Sequence, residues 1–190
     1  MLRPLLPFLA CFLFATSALS QTCSDTRTFD FKNATIQTGT KDENHYINST
    51  LNGPEDGPET FQLTNGSGFQ GDDLEPHEWG ITLVSDHLLH PDPSTWLRVL
   101  VMERDHLTGT GTFYFVLAFA CAGGRVMRIF QFSGEGVELK QWSDRSLEIA
   151  LAIWAPNDAH ADPSLHRELF YRWDAKLHRY RLVRKTKISR

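Results

Sequence analysis

Two short stretches of this chain concentrate the side chains best suited to hold an ion or move a proton. The first is Asp86-His87-Leu88-Leu89-His90-Pro91-Asp92, and the second is Asp158-Ala159-His160-Ala161-Asp162-Pro163-Ser164-Leu165-His166. Neutral imidazole and carboxylate are ligands for Zn²⁺ and related ions, and close spacing on a loop can bring several of them round one metal. If the two stretches are loops serving one site, His87, His90, His160 and His166 supply nitrogen ligands and Asp158 or Asp162 a carboxylate. Neither stretch has the spacing of a ligand signature such as H-E-x-x-H or Cys-x-x-Cys. Asp-Pro and Asn-Asp pairs are also ordinary turn chemistry, in which the Asp side chain bonds its own backbone. No cofactor is therefore expected, with Zn²⁺ the ion these residues would suit.

Other catalytic patterns fail on inspection. Asn65-Gly66-Ser67-Gly68 lacks the first glycine of G-x-S-x-G and sits in a polar stretch, not on a strand-to-helix elbow. Gly109-Thr110-Gly111 and Gly134-Glu135-Gly136 read as hairpin connections with no helix behind them to hold phosphate. Carboxylates are plentiful, but one sequence does not say which two face each other across a cleft, so glycosidase chemistry is allowed and unsupported.

The elements that position these residues start after a secretory signal. Arg3 gives a short positive region, an apolar run follows from Leu5 to Ala15, and Ala18 and Ser20 form an A-x-S cleavage site before Gln21. A membrane anchor wants about 20 apolar residues, and this run is shorter and broken by proline. Acylation at Cys11 would leave too short an apolar segment ahead of it. Residues 21–190 then form a single β-rich domain large enough for a real core, with no further run of spanning length. Cys23 and Cys121 remain after processing, and a lone pair in an oxidising compartment predicts a disulfide.

Charge is uneven. From Gln21 to Asp92 there are 13 acidic and 3 basic residues, whereas Pro93 to Arg190 hold 10 acidic and 15 basic. The basic end alternates arginines with Tyr180 and Leu182, the pattern of a strand's solvated face, so no nucleic-acid partner is expected.

Hydrophobic patterning predicts an all-β fold of about eight antiparallel strands in a meander, sandwich or open barrel, with little or no helix. Phe29 and Phe31 alternate within a first strand over 28–36, a long polar loop covers 38–59, and a short strand follows at 60–63. Trp79, Ile81 and Leu83 mark a half-buried strand, and 96–102 is apolar on both faces except at Arg98, so it belongs in the middle of a sheet. The apolar run 112–121 meets 126–132 across Gly123-Gly124 as a hairpin. A strand over 147–154 and a terminal hairpin of 168–173 with 177–183 complete the set.

Three segments carry a resemblance: GTGTFYFVLAFACAGGRVMRIFQF from Gly109, IWAPNDAHADPS from Ile153, and FYRWDAKLHRYRL from Phe170. They resemble a group of small secreted bacterial β-rich proteins of unknown function, over less than half of the chain. Members often carry adjacent cysteines before the Pro-Ser pair, where this chain has Ala161 and Asp162, so no role tied to those cysteines transfers. The resemblance implies no activity. A bacterial origin would make the Asn33, Asn48 and Asn65 sequons incidental.

The reading that follows is an exported soluble β-domain, periplasmic or secreted. Its expected role is that of a non-enzymatic module binding a ligand or partner of the cell envelope. The alternatives are a metal-dependent or carboxylate hydrolase acting on envelope polymers, and a structural envelope protein without a discrete site. A pocket with convergent His and carboxylate side chains favours the enzyme, and an aromatic surface favours the binder.

Overall fold

The computed structural model describes residues 21–37, 60–70, 79–106, 112–158 and 163–189. The expected signal segment, the polar loop 38–59 with Asn48, and His160 and Asp162 lie outside them. Within them the chain is all-β and antiparallel, as the patterning predicts.

Five strands make one meander in the order β3-β4-β5-β6-β7: β3 (Ser67–Gln70), β4 (Trp79–Asp92), β5 (Thr95–His106), β6 (Thr112–Ala122) and β7 (Arg125–Glu135). A second sheet runs β11-β10-β9-β8, from β8 (Val137–Ser143), β9 (Ser146–Ile153), β10 (Leu165–Asp174) and β11 (Arg179–Lys185). The two-stranded sheet of β1 (Thr35–Gln37) and β2 (Thr60–Gln62) forms a third layer.

The five-stranded sheet is the middle layer. One of its faces packs Leu97, Val99, Val116 and Ala118 against Ile149, Leu169 and Tyr171 of the second sheet. Its other face packs Leu100, Met102, Leu117 and Phe119 against Phe31, Ile36 and Phe61 of the N-terminal layer. Successive strand residues point to opposite faces, so a strand covered on both sides is apolar on both, except where a charge is paired, as Arg98 is with Asp86. That is why β5 and β6 lack the alternation seen elsewhere. Each large side chain buried this way contributes about 1.5–3 kcal/mol.

Gly123 and Gly124 join β6 to β7 with φ of 59° and 75°, the left-handed pair that a two-residue hairpin turn requires. Gly136 does something different. It is the single residue between β7 and β8, which belong to different sheets, so this connection is a corner and not the hairpin its sequence suggests. Its φ is 62°, and a Cβ there would lie 2.3 Å from the Ala152 Cβ.

Two further expectations are corrected. Residues 28–33 are not a strand: Asp30 caps a 3₁₀ turn over Phe31–Asn33, accepting from the Lys32 N–H at 3.1 Å and the Asn33 amide at 2.8 Å. This local capping outweighs the Phe29/Phe31 alternation, and Phe31 is instead buried 5.3 Å from the Phe119 ring. Second, residues 86–92 are not a loop but the far half of β4. Apolar Leu97 and Val99 opposite Leu89 and His87 hold them in the ladder, and Pro91 is tolerated because the register shifts between Leu89 and Asp92.

Candidate functional site

The two His/Asp stretches lie apart. His87 and His90 sit on β4, and the His90 N–H donates to Asp144 at 2.9 Å, in the turn just before Ser146 of β9. His166 pairs with Ala152, at the other end of β9. Six residues of strand separate those two points, roughly 20 Å. Asp158 closes its own loop beyond that far end, accepting from the Ala155 N–H at 2.6 Å and the Ser164 N–H at 2.8 Å. The four described members of the expected metal set therefore do not converge, and no group of three His, Cys, Asp or Glu side chains does so among the described residues.

The histidines of β4 pack instead. The His87 ring stacks on Trp142 at 3.9 Å and its Nε2 lies 3.0 Å from the Ser85 hydroxyl. Burial holds its pKa below the usual value, against the pull of the Asp86 charge. His90 stacks on Trp96 at 4.0 Å with the rings nearly parallel.

The expected disulfide is present: Cys23 and Cys121 are bonded, with Cα atoms 6.0 Å apart. Backbone bonds extend the junction, from the Cys23 N–H to Gly124 O and from the Val126 N–H to Gln21 O, each at 3.0 Å. The Thr26 hydroxyl accepts from the Cys121 N–H at 2.7 Å. The N-terminal segment is thereby pinned against the β6–β7 hairpin.

That pinning builds one wall of a groove of ≈ 650 Å³ at this end of the molecule. Ser24, Asp25 and Thr26 form the wall, and Ser94, Thr95 and Trp96 at the start of β5 form the next. Ala120, Met127 and Ile129 of the β6–β7 hairpin provide an apolar floor, and Trp173, Leu177 and His178 close the groove from the β10–β11 turn. Met127 and Leu177 are each 50 % exposed, so the groove offers apolar side chains to solvent. The one carboxylate among its described lining residues, Asp25, is held below its ordinary pKa by the hydrogen bond from the Arg27 guanidinium and forms an ion pair with it.

The groove depends on how the two sheets meet. Trp173 Nε1 donates to Asp92 at 2.8 Å, tying β10 of one sheet to the end of β4 in the other. Partial burial opposes ionisation of Asp92, but hydrogen bonds from Ser94, Trp173 and Thr95 outweigh it and bring its pKa down to about 2. The β10–β11 turn is fixed by Asp174, whose carboxylate accepts from the Lys176 N–H at 3.0 Å and the Leu177 N–H at 3.2 Å. It also needs His178 at φ 48°, a conformation His adopts more readily than most residues.

Sequence reasoning misses this groove because its walls come from four segments far apart in the chain. The one usable signal is the tryptophan content, which reads more simply as core. Comparison with protein-family models, with curated proteins and with solved structures finds no match.

Proposed function

We propose that this chain is an exported, non-enzymatic binding module whose ligand is a small amphipathic molecule taken up in the groove between the β5, β6–β7 and β10–β11 ends. The observation that carries the reading is the groove's composition: an apolar floor with half-exposed Met127 and Leu177, Trp96 and Trp173 in two walls, and polar Ser24, Ser94 and Thr95 beside them. Ligand sites combine apolar lining with a few placed polar groups in this way, at volumes of roughly 300–1,000 Å³. Export is supported by the signal-like first twenty residues and by the Cys23–Cys121 bond, which an oxidising compartment maintains. Among the described residues that line the groove the one carboxylate is paired with Arg27, which favours the binding reading over carboxylate hydrolysis.

The test is an NMR titration with a panel of aromatic acids, medium-chain fatty acids and disaccharides. At least one class should shift amides at 24–26, 94–96, 120–129 and 173–178 saturably, and Met127→Arg should abolish the shifts while leaving the spectrum folded. Shifts scattered over the surface, or unchanged by Met127→Arg, would refute the groove as the binding site.

A further inference from the structure

A second depression, of ≈ 440 Å³, lies beside the groove and carries a different chemistry. Arg145 and Arg172 line it together with Pro91, Ser146 and Trp173. The backbone places the two arginines side by side. Ser146 faces Arg172 across the β9–β10 ladder, and the Trp173 N–H donates to the Arg145 carbonyl at 2.8 Å. Arg145 Nε is anchored on the Pro91 carbonyl at 2.8 Å, which orients the guanidinium and leaves its two NH₂ groups without a partner among the described residues.

No carboxylate is among the described residues that line this depression. Asp144 accepts from the His90 N–H, Asp92 from Ser94 and Trp173, and Asp174 from Arg181, Lys176 and Leu177. Arg172 also stands directly opposite Arg181 across the β10–β11 ladder. Arg181 is paired with Asp174, so that carboxylate is not shared with Arg172.

We propose that Arg145 and Arg172 form an anion site for a tetrahedral oxyanion of the phosphate type, distinct from the groove and independent of its ligand. Between them they offer about nine guanidinium N–H donors once the Arg145 Nε is discounted. A carboxylate has two oxygens to receive them, whereas a phosphate has three or more, and guanidinium forks match phosphate edges in a bidentate way. The depression is open on one side, so the phosphate can carry a substituent. A soluble phosphomonoester and a phospholipid headgroup share this chemistry.

The experiment is calorimetric titration with inorganic phosphate at fixed ionic strength, on the wild type and on Arg172→Gln, Arg172→Lys and Lys187→Gln. Arg172 is exposed, so its variants should keep the wild-type melting temperature. Lys187 is a charge control near His166, at the far end of the second sheet. Saturable binding in the wild type with Kd below about 10 mM is expected. Arg172→Gln should weaken it at least tenfold, Arg172→Lys by less, and Lys187→Gln not at all. A second arm uses vesicles of phosphatidylcholine and phosphatidylglycerol in equal parts. Co-sedimentation lost in Arg172→Gln assigns the phosphate to a lipid headgroup, and phosphate binding without co-sedimentation assigns it to a soluble ligand. Absence of saturable phosphate binding, or equal weakening by Arg172→Gln and Lys187→Gln, overturns the proposal.

Discussion

Asp92 is where the two sheets are tied together by a group that titrates, so its removal tests the account of the groove end directly. Burial opposes its ionisation, yet the carboxyl moves from an ordinary 3.8 to about 2 in the folded chain, because donors from Ser94, Trp173 and Thr95 favour the charged form. A folded pKa below the unfolded one adds stability that is present above about pH 4. That stability is lost as pH falls towards 2, where the folded group also protonates. At about 1.36 kcal/mol per pKa unit the shift corresponds to an upper bound of roughly 2.4 kcal/mol. Asp92 is only partly buried, and solvent screening reduces the expected figure to about 1–1.5 kcal/mol. Urea unfolding of wild type and Asp92→Asn at several pH values between 6 and 1.5 measures it. The wild type should lose about 1–1.5 kcal/mol more than the variant across that range, and Trp173→Phe, which deletes one of the donors, should fall between the two. Acid effects from other groups, His87 among them, are common to both proteins and cancel in the comparison. Wild-type and Asp92→Asn curves parallel within about 0.3 kcal/mol would refute the reasoning, since the carboxylate would then gain nothing from its three donors.

Two other outcomes follow from the same geometry. Replacing Cys23 and Cys121 by Ser opens a loop with a sequence separation of 98, which in the chain-entropy model costs up to about 4.7 kcal/mol. The variant should also lose groove binding, because the wall at 24–26 is no longer pinned; denaturant unfolding and the NMR titration read the two effects separately, and unchanged ligand affinity would count against the wall's role. Gly136→Ala should destabilise by about 2–4 kcal/mol, since it meets both a positive φ and the Ala152 side chain, and a melting temperature equal to wild type would contradict the strand corner.

Features with local causes can be read from the residue order. Gly123-Gly124 sits between two β-rich runs, and glycine takes both positive φ values without steric cost, so the β6–β7 hairpin is legible in the sequence alone. The runs 96–102 and 112–121 announce a doubly covered position by having no polar face, and the cysteine pair announces its bond. The terminal hairpin is visible in its aromatic alternation across a short turn.

Tertiary structure decides the rest. Residues 86–92 read as a turn-rich loop because Asp, His and Pro favour turns locally. They become strand because their neighbours across the ladder, Leu97 and Val99, lie in the core and because Trp96 and Trp142 take up the imidazole rings. The β7–β8 corner is hidden because Gly136 reports an unusual φ but not which sheet the next strand joins. Asp92 reads as one more loop carboxylate until Trp173, 81 residues away, supplies its donor. The groove and the arginine depression belong to the same class. By its types and local spacing the sequence determined the central strands, the β6–β7 turn, the terminal hairpin and the disulfide that frame this protein. Which side chains face one another at the end of the two sheets depends on contacts between segments distant in the chain, and only the packing of one sheet on the other creates them.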